Sequence, residues 1–153
     1  MNKLWGIFLL IILVGSLAAC KKDAKPQIPA GLIGKWYIRQ YSITASTATS
    51  TDPPYVVSFP DTASSFYYQF NSDGTGQEQA SLGDPNFIDV LPSSFTYRVA
   101  GAKIMFSHNS PIMTATDCSY EIQTGNTLII RGNYSYETVG GTVNNLQVIT
   151  LSR

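Results

Sequence analysis

Ser94, Phe95, Thr96, Tyr97, Arg98, Val99, Ala100, Gly101, Ala102, Lys103, Ile104, Met105, Phe106: on both sides of Ala100 and Gly101, apolar side chains recur at alternate positions. A period of two belongs to a β-strand, and Gly101 tolerates the positive φ that a tight turn needs, so this stretch reads as a hairpin. Working outward, the same pattern gives eight runs: Lys35 to Thr44, Ser65 to Asn71, Thr75 to Leu82, Ser94 to Val99, Ala102 to His108, Ala115 to Gln123, Thr127 to Tyr136, and Asn145 to Ser152. Asp73 with Gly74 and Gly125 with Asn126 supply two further turns. No helical period is sustained over ten or more residues. Short connections make consecutive strands antiparallel neighbours. The expected fold is therefore all-β, an eight-stranded antiparallel up-and-down barrel. A β-sandwich is the alternative, and its crossings would have to use the long connections Ala45 to Ser64, Gly83 to Pro92 and Asn109 to Thr114. Within the first of these, Tyr55 to Phe59 reads as a short extra strand or a cover over one end.

Parity separates two faces. One carries Trp36 and Ile38; Phe66, Tyr68 and Phe70; Phe95, Tyr97 and Val99; Ile104 and Phe106; Cys118, Tyr120 and Ile122; Leu128 and Ile130. The other carries Lys35, Arg39, Arg98, Lys103, Asp117, Glu121 and Arg131, and in these runs no ionisable Asp, Glu, Lys or Arg falls on the apolar face. The interior is then either a filled core or a cavity for something nearly uncharged. A barrel of this size accommodates either. The residues expected to line a cavity are Ile38, Phe66, Tyr68, Phe70, Phe95, Tyr97, Phe106 and Tyr120. Their large rings favour filling near Trp36 and place a cavity at the opposite end, while each inward tyrosine needs a hydroxyl partner. Tyr37, Tyr41, Tyr67, Tyr134 and Tyr136 are assigned by parity or loop position to the outer surface, where they would suit a docking partner.

The amino-terminal region reads differently. Leu4 to Ala19 is an uncharged block behind Lys3, too short for the roughly 20 residues of a membrane-spanning helix, and small residues close it at Leu17, Ala18, Ala19, Cys20. It reads as a targeting segment, with an uncleaved anchor or a cut after Ala18 as alternatives. The run resembles bacterial lipoprotein signals. That resemblance implies cleavage before Cys20, a diacylglyceryl group on its thiol and acylation of its new amino group, hence attachment to a membrane of the cell envelope; two or more chains hold a protein stably. The charged residues that follow resemble the export signals of some Bacteroidetes surface lipoproteins, although only Asp23 is acidic. Residues 1–19 are thus the signal peptide, 20–31 the lipidated cysteine and a tether, and 32–153 the barrel domain. The ten residues Lys21 to Ala30 extend to about 33 Å. With Cys20 consumed, Cys118 has no disulfide partner and is expected to serve as a small buried apolar side chain.

Ten basic residues balance ten acidic ones, leaving a formal net charge of zero. Nucleic-acid binding, which shows as a basic patch or stripe, is not expected. The lone His108 lies near serines without a nucleophile elbow or oxyanion-hole motif, and reads as a rim residue. Asp84 and Asp89 flank a flexible loop unsuited to paired-carboxylate chemistry. Asn71, Asp73, Thr75 and Glu78 surround Gly74 and Gly76 with the wrong spacing for a twelve-residue calcium loop and read as a hairpin turn. No catalytic site, metal or cofactor is expected.

A second resemblance rests on Gly34, Lys35, Trp36 following Leu32; on Phe70, Asn71, Ser72, Asp73, Gly74, Thr75, Gly76; on Phe95 and Tyr97 before Gly101, Lys103, Ile104; and on the ending Leu151, Ser152, Arg153. Gly-x-Trp at the head of the first strand matches the lipocalins, and the whole order from Leu32 to Arg153 is similar to the small lipocalin-like domains of many Bacteroidetes lipoproteins. The resemblance implies an eight-stranded barrel with affinity for small apolar ligands. The helix that larger lipocalins carry before their last strand is missing, so their ligand residues do not transfer. Closure of the barrel would set Arg153 over Trp36 in a cation–π contact that floors it. Two functions follow as expectations: a tethered barrel binding a small apolar molecule, or a filled barrel that docks another envelope protein or a glycan.

Overall fold

The computed structural model describes residues 27–60, 66–79, 92–107, 115, 117–124 and 126–153. Residues 1–19, read above as a signal peptide, and Cys20, Asp84, Asp89 and His108 lie outside the described residues. Among the described residues nine strands form: β1 Gly34–Ser46, β2 Tyr55–Ser58, β3 Tyr67–Phe70, β4 Thr75–Gln79, β5 Ser93–Ala100, β6 Lys103–Phe106, β7 Asp117–Gln123, β8 Thr127–Thr138 and β9 Gly141–Ser152. From β3 onward each pairs antiparallel with the next, β1 pairs with β3, and β9 returns to β1 from Tyr37↔Ser152 to Ser46↔Asn144. This closes an eight-stranded up-and-down barrel, the architecture that both the alternation and the lipocalin resemblance imply; the sandwich is excluded because one continuous sheet closes on itself. β2 is an additional strand, placed on β1 at Gln40 to Ile43, directly beyond β3 on the same edge.

Turn chemistry explains the hairpins. Gly74 and Gly101 sit at φ +86° and +61°, conformations open to glycine because it has no Cβ. At the first of these turns Asp73 Oδ1 accepts from Thr75 N and Oγ1 at 2.9 and 2.6 Å. Those bonds hold its carboxyl below the usual range, and the loop is the hairpin turn expected, with its carboxylate engaged internally. One hairpin was not legible in the alternation: β8 and β9 continue to Thr138↔Gly141 around Val139 and Gly140.

β1 contains the irregularity with the largest consequence. Its pairing with β9 shifts between Ile38 and Gln40, leaving Arg39 as an extra residue, and a bulge of one residue exchanges the two faces beyond it. Trp36 and Ile38 point inward below the bulge; above it Tyr41 is buried at 3 % exposure while Gln40 is exposed.

The core runs the length of the barrel through Leu32, Trp36, Ile38, Tyr68, Phe70, Ile104, Leu128, Ile130, Ile149 and Leu151, all at most 1 % exposed. Among the described residues the buried cluster falls between Leu32 and Leu151, so the barrel region contains its own core. Among the described residues, β1, β8 and β9 extend further than β3 to β7 at the end away from Trp36. There, with β2, they form a four-stranded lip in the order β2, β1, β9, β8.

Candidate functional site

The two ends of the barrel differ in kind. At the floor, Trp36 is fully buried and donates from Nε1 to Leu32 O at 2.8 Å. Arg153 covers its ring with Cζ 4.1 Å from the centroid, and donates from one guanidinium nitrogen to Gly31 O and Ile33 O at 2.8 and 2.6 Å. A cation over an indole is attracted by the negative ring face, and the two carbonyls fix the guanidinium plane. Above the floor lie five of the eight residues expected to line a cavity. Tyr68, Phe70, Phe95, Tyr97 and Phe106 meet one another at centroid separations of 5.1 to 6.4 Å, largely edge-on or tilted. Such rings occupy the interior with each other. Gly76 is part of the fit: it lies opposite Phe95 in register, and a Cβ there would collide with the Phe95 ring and come within 2.6 Å of Gln69 O. Tyr97 finds its hydroxyl partner in Asn71 O at 2.6 Å; burial, then the nearby Asp73, push its pKa up to about 12. Of the remaining three, Ile38 is fully buried, while Phe66, tilted against Phe59 at 5.0 Å between ring centroids, and Tyr120 are half-buried.

Toward the lip the inner wall turns polar. Gln147 is 1 % exposed and bridges two elements: its Oε1 accepts from Ala115 N at 3.4 Å and its Nε2 donates to Tyr41 Oη at 3.1 Å. Burial raises the Tyr41 pKa; the Gln147 bond opposes that rise, and Tyr134 and Tyr55 nearby add to it. Two residues further along β9, Asn145 is 4 % exposed, and its Nδ2 has no hydrogen-bond partner among the described residues. A buried amide left in that state is destabilising by about 1–3 kcal/mol. The register sets it between Ala45 on β1 and Tyr134 on β8. On β4, at the same end, Glu78 is 1 % exposed and accepts from Ser93 Oγ at 3.0 Å through Oε1.

Expectations about four tyrosines are corrected here. Tyr41 does not face out, because the Arg39 bulge turns it inward. Tyr67 does face out but is 8 % exposed, its ring capped by Lys35 Nζ at 3.6 Å. Tyr134 and Tyr136 stack at 6.3 Å and continue the inward row of Leu128, Ile130 and Gly132, so they stand on the inner face of the lip, with Tyr136 exposed. Cys118 is a buried side chain as expected: it is 1 % exposed, Sγ lies 3.2 Å from Ala115 O, and burial first, then Asp117, push its pKa up to about 12.

Glu78, Asn145 and Gln147 were not among the candidate residues. The β9 pair had a signal: Leu151 and Ile149 set an inward parity that Gln147 and Asn145 continue. Glu78 had little, since its inward neighbour two positions back is Gly76 and the row lacks an apolar marker. No protein-family model matches the sequence, and no curated protein matches it.

Proposed function

We propose that this protein is a lipid-anchored component of the bacterial cell envelope whose barrel binds a small, largely apolar molecule at its lip, and that it acts by binding and not by catalysis. The observation that supports binding is the buried Asn145 amide without a partner on the inner wall, at the end where the aromatic filling gives way to polar side chains. A stable fold retains such a group at a net loss, and a bound molecule that engages it would remove that loss. The anchoring part rests on Leu17 to Cys20 as read in the sequence.

Native mass spectrometry of the chain from Lys25 onward, purified from its own host, tests the binding. A reproducible added mass of roughly a few hundred daltons that disappears in Ala45→Trp, a bulky ring placed opposite Asn145, supports it. A bare wild-type domain, or an added mass that survives Ala45→Trp, refutes it. For the anchor, Cys20→Ser should move the full chain from the membrane to the soluble fraction of its host, and an unchanged distribution would refute lipidation there. A second reading, docking of an envelope protein or glycan on the lip, is favoured by the exposed Tyr55, Val56, Tyr136 and Val139; recovery of one specific partner with an unliganded barrel would select it.

A further inference from the structure

The hydrogen-bond network at the lip fixes which polar partners are missing. Gln147 Oε1 is engaged by Ala115 N, so Gln147 Nε2 is the donor to Tyr41 Oη. Tyr41 thereby spends its oxygen as an acceptor and keeps its own O–H, for which the described residues offer no acceptor. Asn145 Nδ2, two residues from Gln147 on the same face of β9, is a second donor without a partner. Both stand on the inner wall in a setting poor in water, where an unmet donor is most unfavourable. Charge narrows the choice further. Among the described residues, the only buried ionisable carboxyl or amine on the inner wall is Glu78. No Lys or Arg is buried among the described residues, so an anion brought to the inner wall would be desolvated with no buried cation to offset it.

From this geometry we infer that the lip selects a neutral molecule carrying a carbonyl or comparable hydrogen-bond acceptor on an apolar, ring-containing body, with Asn145 Nδ2 and the Tyr41 hydroxyl as donors and Tyr134 and Tyr136 as the stacking surface. This rests on the reading that the lip is a binding site, and names the chemistry it accepts. The persistent protonation of Tyr41, favoured by its burial, keeps the second donor available throughout the neutral range.

The test uses three fluorescent probes on the chain from Lys25 onward: Prodan, a neutral aromatic ketone; N-phenylnaphthylamine, neutral and without a carbonyl; and anilinonaphthalene sulfonate, an anion. Prodan should bind with a blue-shifted emission and more tightly than the other two. Asn145→Leu and Asn145→Asp should each weaken Prodan by about tenfold, the effect of one lost hydrogen bond in a dry site. N-phenylnaphthylamine should bind Asn145→Leu at least as well as wild type, which also shows that the variant is folded. Prodan binding unchanged in both variants, or a preference for the anionic probe, would overturn the acceptor chemistry while leaving a binding site in place. If none of the three probes binds wild type, the lip is not a small-molecule site and both readings fall.

Discussion

Replacing Gly76 by alanine adds one methyl group at the point where β3, β4 and β5 are locked together by the Phe95 ring, and the response should be out of proportion to that change. The new Cβ would collide with the far edge of Phe95, which can tilt, and with Gln69 O at 2.6 Å, which belongs to the β3 backbone and cannot move without shifting the strand. Overfilling a dense core by one carbon is destabilising by about 1–3 kcal/mol, and a backbone obstacle puts this site at the upper end. Alanine offsets part of that by narrowing the unfolded ensemble, by about 0.4–1 kcal/mol. The net loss is about 2 kcal/mol. With an unfolding entropy near 2.1 cal/mol/K per residue, a barrel of this size should melt about 8 °C lower. Thermal unfolding followed by near-ultraviolet circular dichroism measures it, since the rings concerned are themselves the chromophores. The partner variant Phe95→Leu opens space at the ring but leaves Gln69 O in place, so the double variant should recover part of the loss and no more, a coupling between contacting residues that a double-mutant cycle reads directly. A Gly76→Ala protein that melts within about 1 °C of wild type, or a cycle with no coupling, would refute the claim that Phe95 lies over Gly76 and fills the lower barrel.

At the floor, Arg153→Ala should destabilise by about 2 kcal/mol, from one cation–π contact and two exposed charge-assisted hydrogen bonds; Arg153→Lys should retain part of it, and chemical denaturation curves that superimpose on wild type would remove the latch from the account. Cys118 should resist thiol reagents in the native barrel at pH 8 and react only on unfolding, with rapid native labelling as the contrary result. Its folded pKa lies above the ordinary value of 9.0, so the stability tied to its protonated form is complete below pH 9 and declines as pH rises toward 12, by about 1 kcal/mol per pH unit. Cys118→Ala should therefore shift the alkaline unfolding midpoint upward, and a midpoint that stays in place or falls would contradict this. Tyr97, raised for the same reason, adds to the loss above pH 10 in both proteins.

Strand content and barrel closure were legible because β5, β6 and the lower halves of β1 and β8 are half-buried surfaces in which every second side chain must be apolar. The floor was legible too, since pairing the last strand with the first carries Arg153 to Trp36 by geometry alone. What the sequence concealed lies above the Arg39 bulge. A bulge leaves no residue signature of its own, because any side chain can occupy the extra position, yet it reverses parity and turns Tyr41 from a surface ring into an inner-wall donor. The lip was concealed for a related reason. Tyr134, Tyr136, Val143 and Asn145 share one face, but beyond the rim burial fades, so alternation in polarity fades with it and the strands read as loop. Gln147 and Glu78 illustrate a third limit: an inward polar residue looks like an outward one until its partners, here Ala115, Tyr41 and Ser93, are brought to it by other strands.

The route by which the chain enters the barrel gives the molecule a direction. Gln27 to Leu32 arrives beside Arg153, at the foot, whereas the lip is formed by the far ends of β1, β8 and β9. β1 alone spans 13 residues, and at a rise of about 3.3 Å per residue with a tilt near 40° it lifts the mouth about 30 Å above the foot. Whatever holds the amino-terminal side of this protein holds it by the base, like a cup on a stem. The Trp36–Arg153 latch thus lies a barrel height away from Tyr41 and Asn145 at the lip, so substitutions at the two ends should be additive in their effects on stability.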